Sequence, residues 1–331
     1  MPPDADTSAA AGVRLRGFRG ASDFPALAAV LTASENADGH ARQVTADDLA
    51  AAYQNLVNCD PHHDMVLAEV AGQLAGYARG WWQADPAGPV YAHSAFVHPA
   101  WRRRGLGRAL LAWVEDRLRT VAAGHPPAAA RFFQAEAEQA QAGRLKLLEG
   151  AGYQPVRCFY EMVRPTLDGL PEWPLPAGLE VRPVMPEHYP AIWESMEAWS
   201  RDEWGYTPPA EGDYAAWLAG PHFQPALWQV AWDLATGETV GHVLAFVNHA
   251  ENQQYGRRRG YTEGVGVAPA WRRRGVARAL IALSLRAQRA AGLMESALAA
   301  DSQNPAEAPR LYASCGFQVR NWNAVYRKPL T

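Results

Sequence analysis

VHPAWRRRGLGRALLA, at residues 97–112, returns as VAPAWRRRGVARALIA at residues 267–282, with only four substitutions between the copies. A repeat spaced by a whole domain length signals two duplicated domains, because solenoid units recur every 20–50 residues or so. Both copies describe the same object. An apolar strand ends, a proline turns the chain, arginines and glycine form a tight loop, and an amphipathic helix begins. The first amides of such a helix have no intrahelical partner, so a site of this kind suits an anion.

The rest of the chain agrees with a tandem. With 331 residues, 48% of them apolar and 20% charged, it has the material for two domains that each bury a core. A formal charge of −3 argues against general nucleic-acid binding, which rests on a basic excess. Cys59, Cys158 and Cys315 show neither metal nor redox spacing, as expected of reduced thiols in a cytoplasmic protein. His62 and His63 are adjacent rather than four apart, so no metal site is expected. No stretch has the roughly 18 apolar residues that span a bilayer, and no membrane partner is expected. The start, MPPDADTSAAAGV, lacks a basic then apolar leader and reads as a short disordered tail over residues 1–12.

Pro165, Pro171, Pro174 and Pro176, with Gly169 and Gly178, interrupt any periodicity. Residues 166–178 therefore read as a linker between domains at 13–165 and 179–331. Each half gives the same order: strand, two helices, three strands, helix, strand, helix, strand. In the first half the strands fall near 13–19, 65–70, 74–82, 91–97, 130–135 and up to 163, with a hairpin at Gly72. In the second they fall near 179–184, 227–233, 239–247, 261–267, 296–300 and 318–326, with helices at 187–199, 212–219, 275–292 and 304–315. The fold class is α/β with a mixed (α+β) sheet: in each domain a central, mostly antiparallel sheet flanked by helices, with one parallel step at the repeated helix.

The loop itself discriminates among anion sites. Gly275 removes a side chain where a ligand must come close, and Ala277 keeps the approach open. A nucleotide P-loop needs Gly-Lys-Ser/Thr, which neither copy has, and Gly105 with Gly107 is only a fragment of a dinucleotide fingerprint. A bare basic helix cap is the remaining alternative, weakened by its appearance twice at matching positions.

Arg102, Arg103, Arg104, Gly105, Leu106, Gly107 and Arg272, Arg273, Arg274, Gly275, Val276, Ala277 each resemble the acyl-CoA-binding motif of the GNAT N-acetyltransferase superfamily: Gln or Arg, two residues, Gly, one residue, Gly or Ala. The resemblance extends over both halves. It implies two tandem GNAT folds, in the manner of mycothiol-synthase-like two-domain acetyltransferases, and acetyl-CoA or another acyl-CoA as co-substrate. Val97, Val265 and Val267, on the strands that feed the loops, are then expected beside the cofactor.

Acyl transfer to an amine needs a proton acceptor, a donor for the developing oxyanion and a proton for the departing thiolate. By the resemblance, Tyr312 is the acid, Asn304 a helix-start contact to the cofactor, and a backbone amide near Val267 the oxyanion donor. Glu263, at even spacing from Val265 and Val267, is the expected base or amine anchor. Aligning Gly152 with Gly316 sets Leu148 opposite Tyr312, Ala140 opposite Asn304 and His93 opposite Glu263. The first domain is thus expected to be degenerate and the second catalytic.

Tryptophans 193, 199, 204, 217, 228 and 232 alternate with acids in the second half. Trp199, Trp204 and Glu203 are the expected acceptor contacts, suited to a cationic or aromatic amine. The leading expectation is transfer of an acetyl group to a small amine by a monomer or homodimer. Protein or peptide acceptors stay open, and a non-catalytic acyl-CoA sensor is the competing class.

Overall fold

The structure is a computed structural model, and it describes residues 12–40, 43–86, 88–127, 130–304 and 306–331. The tail expected over residues 1–12 falls, apart from Gly12, outside the described residues. The chain forms two compact units. One takes residues up to Val156 together with Asn323–Thr331, and the other is Arg157–Trp322.

The first unit runs β1 (Val13–Gly17), α1 (Phe24–Ala37), α2 (Ala46–Gln54), a single turn α3 (Pro61–Asp64), β2 (Met65–Val70), β3 (Gln73–Gln83), β4 (Val90–Val97), α4 (Leu106–Ala123), β5 (Phe132–Glu138) and α5 (Ala142–Gly150). Strands β1 to β4 are antiparallel neighbours, and β5 joins β4 in parallel. The β2–β3 hairpin turns on Ala71 and Gly72, both left-handed at φ 49° and 78°. That backbone matches the twist of the strands it joins. Helix α4 buries Leu106, Leu110, Val114, Leu118 and Ala122, a stripe at every fourth residue. Each fully buried leucine contributes about 2 kcal/mol.

Strands β4 and β5 pair only from Val90 to Ala92, against Phe132 to Gln134, and then splay. The other edge of β5 is covered by Asn323–Pro329, antiparallel to it, so the end of the chain closes this unit. Arg327 reaches Asp85 at 2.5 Å, and Lys328 holds the buried Glu115 carboxylate through two bonds of 2.9 and 2.8 Å.

Strand β6 (Gln154–Arg164) lies in the second unit from Arg157 onward. There follow β7 (Leu179–Val181), α6 (Tyr189–Ser200), α7 (Asp213–Ala219), β8 (Gln229–Asp233), β9 (Thr239–Val243), α8 (His249–Tyr255), β10 (Arg259–Tyr261), β11 (Gly266–Val267), α9 (Val276–Ala290), β12 (Glu295–Asp301), α10 (Ala308–Ser314) and β13 (Gln318–Pro329). Strands β7, β8, β9 and β11 form one antiparallel run. Strand β12 is parallel to β10 and antiparallel to residues 159–164 of β6.

Beyond shorter strands at β7 and β9 and the extra turn α3, three details differ from the sequence expectation. The single strand over 261–267 is two short ones, because Gly264 adopts φ 55° and breaks the pleat. The last helix starts at Ala308, not at Asn304, since Glu307 is left-handed at φ 54° and the Asn304 side chain closes a turn onto the Ala306 amide at 2.8 Å. Helix α8 is additional. Its signals were in the sequence: Asn248 caps the Glu251 amide at 3.1 Å, and Gly256 ends the helix left-handed.

Candidate active site

The two loops have the same backbone. Arg103 and Arg273 are left-handed at φ 64° and 63°, and Gly105 and Gly275 at φ 87° and 88°. Alternating left-handed and ordinary backbone just before α4 or α9 is a geometry in which neighbouring amides can face one side, and it suits an anion. A methyl on Gly275 would meet no atom within 4 Å, so the requirement for glycine is conformational. Leu106 and Val276 are core residues, and only their backbone is available to a ligand.

The arginine side chains have separate tasks. Arg102 and Arg272 tie each loop to its strand, with Nε donating to the Val97 and Val267 carbonyls at 3.3 and 3.1 Å. Arg104 and Arg274 lie over Trp101 and Trp271, 4.9 and 5.0 Å from the ring centres. Arg102 is further locked by Asp38 at 2.6 and 2.9 Å and by the Ser34 hydroxyl at 2.9 Å.

In the second unit the break at Gly264 re-aims Glu263. The alternation that would set Glu263 on one face with Val265 and Val267 is interrupted, and its carboxylate instead accepts the Ala299 amide of β12 at 3.2 Å. Glu263 therefore reaches across the gap between the strand segments and β12. Burial pushes its pKa up to about 7, moderated by that amide. Tyr312, on α10, is 8% exposed, and its pKa rises through burial and then through the charges of Glu263 and Glu203. Glu203 is exposed at the surface; partial desolvation and then the charge of Asp301 raise its own pKa. Glu263, Glu203 and Tyr312 thus share one electrostatic neighbourhood. Asn304 stands apart from this group, engaged in its local turn.

The six tryptophans divide. Trp228 and Trp232 are core; Trp217 stacks on Trp228, and Trp193 packs tilted against Trp217. Trp204 packs near Phe159 at 6.0 Å and under the Arg157 guanidinium at 5.8 Å, while Arg157 is paired with Asp301. Trp199 stacks on His242, 4.8 Å away at 17°, and both rings press on Gly266. A methyl there would lie 2.7 Å from Trp199 Cε3 and 2.7 Å from His242 Nε2. His242 is buried, and burial drives its pKa down to about 3, so the platform under Trp199 is a neutral imidazole. Sequence reasoning missed His242; the glycine at 266, where the first copy has Phe96, was its one visible trace.

The first unit keeps the loop with different surroundings. Leu148 is buried where Tyr312 stands in the second copy. His93 is bonded through Nε2 to Tyr153 at 2.8 Å, and burial lowers its pKa to about 3. A cavity of about 170 Å³ lies beside this loop, lined among others by Val97, Arg103, Gly107, His93 and Arg144.

Among the described residues there is no group of three or more His, Cys, Asp or Glu placed to hold a metal, and no helix long and apolar enough to cross a membrane.

The family described as the acetyltransferase (GNAT) family matches residues 31–135 and 191–317. A mycothiol acetyltransferase of Kineococcus radiotolerans is 33% identical over 307 residues, covering 88% of each chain. One of Thermobispora bispora is 32% identical over 265 residues, 77% of this chain and 80% of that one. A GCN5-related N-acetyltransferase from Sphaerobacter thermophilus superposes with a TM-score of 0.74 at 27% identity, over 98% of this chain and 97% of the other. A tandem GNAT protein from the clavulanic acid biosynthesis pathway superposes at 0.65 over 96% and 99% of the two chains; at 16% identity the likeness is one of fold.

Proposed function

This chain belongs to the acetyltransferase (GNAT) family, and we propose that its second unit moves an acetyl group from acetyl-CoA directly to a small primary amine. The observation that carries the proposal is that the charges of Glu263 and Glu203 both act on Tyr312, in the unit that has a base on the strand segment before its loop and an acid on the helix after it. When bound, acetyl-CoA supplies the thioester carbon that the amine attacks. The residues fit such a ligand: the Arg273 and Gly275 cradle opens onto free space at the start of the fifteen-residue helix α9.

Glu263 takes a proton from the incoming ammonium near neutral pH, which its raised pKa allows. Tyr312 keeps its own proton, because burial and two neighbouring carboxylates oppose ionisation, and holds it for the thiolate. A backbone amide of the Val265 to Val267 segment donates to the carbonyl oxygen. Glu203 and Trp204 meet the acceptor as anion and aromatic wall, and Trp199, against Gly266 of β11, is a further aromatic contact, which favours a cationic amine. The relatives named mycothiol acetyltransferase make the unacetylated form of mycothiol the first acceptor to assay. The first unit's loop, Arg102 to Gly107 with Val97, is a second acyl-CoA cradle without turnover, since Leu148 has no proton to give.

The test is thiol release from acetyl-CoA over a panel of amines, with Tyr312→Phe as the variant. The expected result is a fall in kcat of roughly a hundredfold with KM for acetyl-CoA little changed. Unchanged kcat in Tyr312→Phe removes the acid from this reading, and binding without thiol release for any amine favours a sensor.

A further inference from the structure

The first unit differs from the second at three matched positions around the β4–β5 splay. His93 replaces Glu263, Leu148 replaces Tyr312, and Arg144 stands where the second unit has Ala308. The first two remove proton transfer. The third adds a charge in its place.

Arg144 is a buried cation with little to hold it. Among the described residues its guanidinium makes one hydrogen bond, from a terminal nitrogen to the Ala95 carbonyl at 3.0 Å, and its Nε is buried without a partner there. A guanidinium has five N–H donors, and leaving them unmet away from water is unfavourable. The carboxylates that act on it from a distance are Glu136, Glu35, Asp38 and Glu138. Each is engaged elsewhere. Asp38 is bound by Arg102, Glu136 accepts from Asn323 at 2.9 Å, and Glu35 and Glu138 lie 3.3 and 3.0 Å from His40. Two other part-buried arginines of this unit, Arg16 and Arg327, hold carboxylates at 2.7 and 2.5 Å, and Arg131 is held by three backbone carbonyls.

The missing partner has a place to sit. Arg144 lines the 170 Å³ cavity together with His93, whose Nδ1 is likewise buried and unpartnered and whose residue is 4% exposed. The remaining wall is mixed: Phe96, Leu111, Leu147 and Leu148 make it apolar on one part, and Ser34, Gln141 and Asp38, the last held by Arg102, line the rest, so the ligand brings its anion on a short, largely apolar stem. We infer that this cavity binds a carboxylate, the terminal group of a short dicarboxylic acyl chain, paired with Arg144 and hydrogen-bonded by His93. A planar carboxylate matches the guanidinium fork through two parallel bonds. The ligand is held and not converted, because neither His93, buried and neutral, nor Leu148 moves a proton. The carboxylate can arrive as a free dicarboxylic acid or as the tail of a CoA thioester lying along the first loop, and the inference is independent of the acceptor chemistry proposed for the second unit.

The test uses calorimetric titration of the full chain with succinate, succinyl-CoA, acetyl-CoA and uncharged succinamide, repeated on Arg144→Met. Saturable binding of succinate identifies the free acid as sufficient. Tighter binding of succinyl-CoA than of acetyl-CoA at the first unit's loop identifies the thioester. In either case Arg144→Met weakens that event by at least roughly thirtyfold, while acetyl transfer by the second unit is unchanged. Equal binding of the charged probes by Arg144→Met and the parent overturns the inference. So does equal binding of succinamide and succinate by the parent, a comparison that stands even where the variant fails to fold. Absence of any such event in the parent protein overturns it as well.

Discussion

Replacing Glu263 with Gln sets stability against activity, and both effects follow from one displaced pKa. The carboxyl is raised from its ordinary 4.5 to about 7 by burial. The folded chain therefore binds more protons than the unfolded one between those values, and stability falls as pH rises through that window. Above about pH 7 the folded protein carries an ionised, desolvated carboxylate, a loss of about 3 kcal/mol relative to the protonated form. Gln keeps the shape and still accepts the Ala299 amide, but it does not ionise. Glu263→Gln is thus expected to be more stable than the parent at pH 8 by about 3 kcal/mol, a rise of roughly 6–12 °C in the melting midpoint of this unit. At pH 4 the two should melt together. Acetyl transfer should fall by roughly a hundredfold or more, and the rise of the parent's kcat/KM through about pH 7 should vanish. Thermal melts at the two pH values and a pH–rate profile check both. Equal midpoints at pH 8 would refute the burial argument, and full activity in the variant would remove Glu263 from proton transfer.

Three further outcomes are expected. Gly275→Val forces a branched side chain into a left-handed backbone, a strain of roughly 1–2 kcal/mol, and should raise KM for acetyl-CoA as the cradle amides turn away; titration calorimetry reads this directly. Gly266→Ala drives a methyl into Trp199 and His242, and should destabilise by about 1–3 kcal/mol and change acceptor KM more than acetyl-CoA KM in steady-state kinetics. Removing Asn323–Thr331 uncovers the edge of β5 and leaves the buried Glu115 without Lys328; hydrogen exchange should rise across β5, and Lys328→Met alone should destabilise by about 2–3 kcal/mol in a melt.

The fold was legible because its signals are local. The repeated WRRRG stretch, the hairpin at Gly72 and the every-fourth-residue stripe of α4 depend on neighbours in sequence, and the structure has each of them. The break at Gly264 was not legible. A glycine in an apolar strand reads as one more strand residue until the partner strand shows where pairing stops. The same holds for the tryptophans, whose spacing could not separate Trp217 and Trp228, which pack on one another, from Trp199, which faces Gly266.

The sequence by itself determined that there are two copies, that each ends a strand in an arginine- and glycine-rich turn that opens a helix, and that Tyr312 has no counterpart in the first. Those properties belong to the order of residues along one segment. Only the tertiary structure decided that Glu263 turns across a gap, that burial raises its pKa, that Asn323–Pro329 closes the first unit, and that the Arg144 guanidinium is buried against the Ala95 carbonyl. Desolvation and strand closure depend on what arrives from distant parts of the chain, and no local pattern encodes that arrival.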